Sequence, residues 1–490
     1  SVTVMAQTAT VTALTGQSCA GTRFGSNLNC TANDFTSVLT FTQPSSSTLT
    51  SCVAGQALSL DVIASIQSGA GQKYDGAYFL GEVGNSPNLN NGANSCSLGV
   101  FPLTPAPFQN SDGDSCGDYQ ANSSASLLIN DISLTCLPAP GTNSLAIPYT
   151  LVFSSSAGSP ACTSANVTAG TTSKCVSSTV ATVTGVGVQG FITLTKQTTP
   201  DAASQSFAFT TSASPAATMT PSSFNLIDGN SQTATVLLDS AGGTQALTLT
   251  ETSASGWAST ASIACTTPSG GSAASYVTIN NTNRTITANL TTTNYGAVCT
   301  ITNTKLPTVT VTKVSNGGTG AFSFNSAGSS NGFASQTITT ATSGTGVAGT
   351  TQTLAAVSTI TDITETIPAG FALTSATCTG MGAGGTATLS FPTATTGRLR
   401  LDAAATAPGA DIACTFTTAK IPTVKTQKIT VGGTGGPFTF AQTNLASAPG
   451  GISTVAADTA TPAAPAAISV SAIGTAVTIT ETPIAGYALT

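Results

Sequence analysis

Along most of this chain, small apolar and small polar residues take turns with a period of two. The runs "TVTVTKV" (308–314), "ITLTKQT" (192–198), "QALTLTET" (245–252) and "AISVSA" (467–472) alternate Val, Ile, Leu or Ala with Thr and Ser. Successive side chains of a strand point to opposite faces, so the pattern predicts strands with one face buried and one wet. Gly, Ser, Pro and Asn clusters separate the runs, as turns require. No stretch carries a helical period, and the expected class is all-β.

The pattern also repeats at long range. The chain holds only four glutamates, and three of them sit in near copies of one phrase: "TLTETSASGWAST" with Glu251, "ITETIPAGFALT" with Glu365 and "TITETPIAGYALT" with Glu481. Each is followed by an aromatic: Trp257, Phe371 and Tyr487. Lys196, Lys313 and Lys428 recur on earlier strand-like runs at the same spacing of about 115 residues. "AVCTITNTK" (297–305) matches "IACTFTTAK" (412–420). These copies divide the chain into 191–305, 306–420 and 421–490, behind an unrelated region 1–190. A period this long suits whole β-sandwich domains in series, each with its own core. The joints "TKLPT" and "AKIPT" carry one Pro each, which argues for stiff connections. The third copy ends just after its glutamate phrase. Two explanations stay open: a fragment of a longer chain, or strand complementation by a neighbouring subunit, for example by its "SVTVMAQTATVTA" (1–13).

Composition narrows the function. Charged residues are 6% of the chain, the net charge is −6 and no basic block occurs, which disfavours nucleic acid as a partner. Histidine is absent, so neither a Ser-His-Asp triad nor a Cys-His nucleophile can form. The glutamates of the repeat lie in separate copies and cannot share a cleft, so a carboxylate-pair glycosidase is not expected and the chain reads as a non-enzyme. No apolar run is long enough to span a membrane. Twelve cysteines without a CxxC spacing read as an exported, disulfide-bonded protein, extracellular or on a cell surface. Cys265 and Cys299 occupy the same places in the first repeat as Cys378 and Cys414 in the second, and pairing each couple would contribute about 3.5–4 kcal/mol by loop closure.

The ordered set of a first-strand lysine, "E-x-x-x-x-G-aromatic" and "C-T-[IF]-T" before a final lysine resembles the prealbumin-like modules of SpaA/Cna-B type found in bacterial surface proteins. The resemblance covers about 191–490. It implies β-sandwiches used in stalks, pilin shafts and adhesin spacers. It also implies that some members join the lysine to a last-strand asparagine through an isopeptide bond, with the glutamate as proton shuttle. That trio is Lys196, Glu251 and Asn303 in the first repeat. In the second, Lys313 and Glu365 match but Thr418 replaces the asparagine, so no bond is expected; Lys428 and Glu481 of the third have no last strand. The plainer alternative is a buried Lys–Glu pair in every copy.

Residues 1–190 hold eight cysteines and seven of the aspartates. Short separations suggest Cys19–Cys30, Cys96–Cys116 and Cys162–Cys175, which leaves Cys52–Cys136. "NSDGDSCGDY" (110–119) offers Asp112, Asp114 and Asp118 from one Gly-rich loop, with Asp75 and Asp34 as further carboxylates. Hard oxygen ligands at this spacing suit Ca2+, although no EF-hand is formed, and an Asx-rich surface turn explains the loop equally well. "NCTAND", "YDGAYF" and "DGDSCGD" together resemble a Cys-rich domain at the front of Gram-negative secreted repeat proteins. The expected function is a structural subunit of a bacterial extracellular filament, sheath or surface layer, self-associating into a homopolymer. The alternative is an adhesin that holds a glycan or other surface ligand with its N-terminal domain.

Overall fold

The computed structural model describes residues 8–17, 19–24, 30–35, 40–81, 96–157, 174–178, 180–201 and 203–490. Apart from one helical turn, Ala20–Phe24, the regular elements are strands. The chain falls into two compact units. The first comprises Ser1–Ala254 with Ser259–Asn303, and the second Ser255–Ala258 with Thr304–Thr490.

In the first unit, the N-terminal part builds two sheets. One orders Ala9–Thr12, Ser124–Thr135, Ala57–Gln67 and Thr40–Thr42, and the other orders Lys174–Ser178, Tyr149–Ser154, Tyr74–Leu80, Cys96–Val100 and Leu14–Gln17. Tyr149–Ser154 is buried along its whole length, with Leu151, Val152 and Phe153 apolar and the polar Thr150 buried among them. Ala9–Thr12 runs parallel to Leu127–Asn130, so this part of the suggested donor segment 1–13 is already paired within its own chain.

The first repeat does not start at a joint. A single strand, Thr182–Thr199, pairs with Thr40–Thr42 and Ser51–Val53 of the N-terminal part through its first half. Through its second half it pairs with Ser231–Leu237. The boundary drawn at 190/191 therefore lies inside one strand. Gly187 and Gly190 within it are close-contact positions. A Cβ on Gly190 would meet Leu238, Leu290 and the Tyr295 carbonyl at 2.9 Å.

Around this strand the first repeat closes as a sandwich. One sheet carries Thr182–Thr199, Gly296–Thr304 and Ser262–Thr266; the facing sheet orders Ser223–Leu226, Phe207–Ser214, Gln245–Glu251, Thr285–Leu290 and Val277–Asn280. Gln245–Glu251 buries every second residue, as its alternation predicts.

The second unit contains the second repeat in the same form. Gln336–Thr340, Gly320–Asn325, Thr361–Thr366, Thr396–Leu401 and Ala387–Thr393 make one sheet. Thr308–Asn316, Asp411–Lys420 and Phe371–Thr379 make the core of the other. Between them lie Val309, Val311, Phe324, Ile363, Leu399 and Phe416. The third repeat has two short ladders, Thr423–Val424 with Ile468–Ser469 and Phe440–Thr443 with Thr478–Glu481.

One register is common to all three repeats. Glu251 stands opposite Phe209, Glu365 opposite Phe324 and Glu481 opposite Phe440.

Candidate functional site

Each repeat places its lysine ammonium between its glutamate and a phenyl face. In the second repeat, Lys313 Nζ lies 2.8 Å from Glu365 Oε1, with both side chains fully buried. It also lies 4.5 Å from the centroid of Phe322, which in turn meets Phe371 edge-on. In the third, Lys428 Nζ is 2.7 Å from Glu481 and 4.5 Å from the Phe438 ring, which Tyr487 meets edge-on. In the first, Lys196 Nζ is 3.8 Å from Glu251 Oε1 and 4.3 Å from the Phe207 ring. A carboxylate on one side and a π-face on the other compensate a cation withdrawn from water. The phenylalanines were not anticipated, although the F-x-F phrases at 207–209, 322–324 and 438–440 repeat with the lysines.

The first repeat adds an amide to this clasp. Asn303 Nδ2 donates to both oxygens of Glu251, at 3.0 and 2.9 Å, and Arg284 approaches the same carboxylate at 3.5 Å. Lys196 Nζ also donates to the Ile301 carbonyl at 3.3 Å. Burial pushes Lys196 down to about 8, against the pull of Glu251 and Asp228. Burial likewise raises Glu251, against the hydrogen bond from Asn303. Both shifts favour the neutral forms, an amine and a carboxylic acid, which are the species that amide formation needs. In the second repeat Lys313 donates to the Phe416 carbonyl at 3.4 Å, the counterpart of Ile301, but the Asn303 counterpart is Thr418, whose buried hydroxyl has no hydrogen-bond partner. Burial lowers Lys313 and raises Glu365 in the same sense.

The cross-strand cystines lie near these clasps. Cys265 and Cys299 are directly opposite on adjacent strands and bonded, with a Cα–Cα distance of 4.1 Å, and Cys378–Cys414 repeats this at 4.0 Å. In the N-terminal part the observed bonds are Cys19–Cys96, Cys30–Cys175 and Cys52–Cys136. The first two replace the expected Cys19–Cys30, Cys96–Cys116 and Cys162–Cys175. Strand pairing, not closeness in sequence, decides them: Gln17 is in register with Cys96, and a bridge joins Thr31 to Val176. Cys116 is also disulfide-bonded, and Cys162 lies outside the described residues.

Four of the five candidate calcium ligands converge. Oxygens of Asp75, Asp112 and Asp118 lie within 4.8 Å of one another, and Asp75 and Asp114 belong to a second such group. Burial and the charges of Asp114, Asp112 and Asp118 push Asp75 up to about 7, and burial raises Asp118. Asp34 is not part of the cluster. Its carboxylate is tied to Lys174 at 3.0 Å, which removes it from the ligand set.

Residues 192–305, 309–420 and 424–490 each match the prealbumin-like fold domain of SpaA type, and the three matches cover more than half of the chain. The chain belongs to this prealbumin-like family. No curated protein matches it. Among solved structures, this prealbumin-like chain is similar to a Mobiluncus mulieris adhesin with intramolecular disulfide, isopeptide and ester cross-links (12% identity, 54% of this chain and 97% of that one, TM-score 0.19). It is also similar to the Bacillus anthracis TIE protein (12% identity, 94% and 72%, TM-score 0.27) and to the major pilin of Streptococcus pyogenes (9% identity, 47% and 97%, TM-score 0.16). Among the described residues, no helix is long and apolar enough to cross a membrane.

Proposed function

We propose that this prealbumin-like chain is a structural subunit of a bacterial extracellular filament, sheath or surface layer. The observation that carries the reading is the repeated clasp. In every repeat a lysine is held to a glutamate that stands opposite the second phenylalanine of the F-x-F phrase, and in the first two repeats a cystine pins the closing strand. Such elements stiffen a sandwich, as a module that carries load requires. The oxidised cysteines suit an exported, extracellular location.

Strand complementation is the finer part of this proposal. In the second repeat, Asp411–Lys420 lies between Thr308–Asn316 and Phe371–Thr379. In the third, the matching segments Gln427–Gly433 and Gly486–Thr490 line a groove of about 820 Å³, with Val431 and Leu489 80% or more exposed. A closing strand from a neighbouring subunit fits this groove. A peptide with the sequence of Asp411–Lys420, added in excess, then blocks self-association; undiminished association overturns this part.

The adhesin reading has one observation in its favour, an N-terminal region that departs from the repeat. Negative-stain microscopy of native material separates the two. Regular filaments support the subunit, and isolated rods released from cells by glycan or surface competitors support the adhesin.

A further inference from the structure

We propose that Asp75, Asp112, Asp114 and Asp118 form a calcium site that fastens the 110–118 loop to the Tyr74–Leu80 strand. The loop by itself is explained as a turn. Asn110 Oδ1 accepts from the Gly113 N–H at 2.7 Å, and Asp114 Oδ1 accepts from the Cys116 N–H at 2.7 Å. Asp118 accepts from the Ser111 N–H at 2.6 Å and from the Asp75 N–H at 3.1 Å.

These bonds leave one residue unaccounted for. Asp75 belongs to a different strand, is 4% exposed, and its Oδ1 has no hydrogen-bond partner although it points into the carboxylate cluster. The half-buried Asp114 likewise offers an Oδ2 that accepts no hydrogen bond, and its carboxyl lies within hydrogen-bonding reach of the Asp75 carboxyl, so two acids face each other with no side-chain cation between them. A carboxylate withdrawn from water without a partner is costly, and the other carboxylates around it add repulsion.

Among the described residues, no side-chain cation resolves this. Lys73, the neighbouring buried base, spends its ammonium on the carbonyls of Gly69, Ala70 and Gly71. Asp34, the remaining nearby acid, is neutralised by Lys174. The donors that are left are all carboxylate oxygens, since Cys116 is in a disulfide. That set selects a hard divalent cation. Calcium takes about six to eight oxygens in flexible geometry, whereas magnesium demands a near-ideal octahedron and keeps several waters, so carboxylates gathered from a loop and a strand suit calcium better. The site is independent of the filament and adhesin readings.

The test uses the full chain after chelation. Calorimetric titration with calcium chloride is expected to show saturable binding, and scanning calorimetry an upward shift of one unfolding transition. Magnesium chloride is expected to do markedly less. Asp75→Asn keeps the backbone, because Asn tolerates the φ of 56° found here. It is expected to melt no lower than the parent without calcium, since it removes a buried repelling charge, and to lose calcium affinity by about tenfold or more. Asp112→Asn, at a less buried ligand, is expected to weaken binding in the same direction. Absence of saturable binding in the parent chain, or an equal calcium shift in Asp75→Asn, overturns the proposal.

Discussion

The scarcity of glutamate in this chain has a local cause at each site. Glu365 faces a lysine that has no water to solvate it, so the pair is kept or lost together. Glu365→Gln leaves the Lys313 ammonium with a ring and a carbonyl only. Removing one partner of a buried pair costs on the order of 3 kcal/mol, and the second repeat is expected to melt several degrees lower. Scanning calorimetry of the parent and variant checks this, and an unchanged transition removes the pairing idea. The isopeptide question sits at the same scale. In the first repeat Glu251 bridges Lys196 and Asn303. An isopeptide there would require attack of Nζ on the Asn303 Cγ, forming one C–N bond and breaking another, with Glu251 passing the amine proton to the nitrogen that departs as ammonia. If the bond forms, the native chain after reduction of its cystines weighs one ammonia less than its sequence requires, and Glu251→Ala loses no ammonia. Thr418→Asn supplies the missing amide in the second repeat and is expected to release a second ammonia. A parent mass that shows no such loss leaves a non-covalent clasp in the first repeat.

At the scale of strands, much was legible because two periods are written in the residues. Alternation of Thr with Val or Ile marks half-buried strands, and Gln245–Glu251 and Thr308–Asn316 follow it residue by residue. The 115-residue repeat then puts Cys265 with Cys299, and Cys378 with Cys414, at matching places in adjacent strands. Alternation still marks Ala57–Gln67 and Ser124–Thr135, but the long repeat does not reach residues 1–190, and there the short-range pairing of cysteines fails. Cys19 meets Cys96 because the Leu14–Gln17 strand returns to Cys96–Val100 across the sheet, a relation that spacing does not encode. The phenylalanine under each lysine was visible as a repeated F-x-F, but a phenyl ring reads first as core, and only the fold shows the ammonium on its face. The glycines of "TGVGVQGFI" serve packing: Gly190 admits the side chains of Leu238 and Leu290 to an unbroken strand. Gly190→Val is expected to lower the melting of the first unit and leave the second repeat's transition in place, which one calorimetric scan of the full chain reads.

The shared strand changes what counts as a folding unit. Residues 183–189 of Thr182–Thr199 pair with Phe41–Thr42 and Ser51–Val53, while 189–195 pair with Ser231–Leu237. Further ties cross the same line: Asn143 Nδ2 donates to the Leu238 carbonyl at 2.8 Å, and the Leu238 N–H to the Val188 carbonyl at 3.1 Å. A strand cannot melt in one half without exposing the ladder of the other, so the N-terminal part and the first repeat are coupled through backbone hydrogen bonds. The second repeat is bounded differently, with its first and closing strands, Thr308–Asn316 and Asp411–Lys420, paired to each other from end to end. Equivalent fragments should therefore behave unequally. A fragment of residues 306–420 is expected to unfold in one cooperative transition close to that of its counterpart in the full chain. A fragment of residues 191–305 loses the Thr182–Gly190 half of its first strand and is expected to melt well below the first unit of the full chain; restoring residues 182–190 alone leaves their ladder unpaired and recovers little. If 191–305 melts at the temperature of the intact unit, the shared strand carries no coupling and the first repeat is as autonomous as the second.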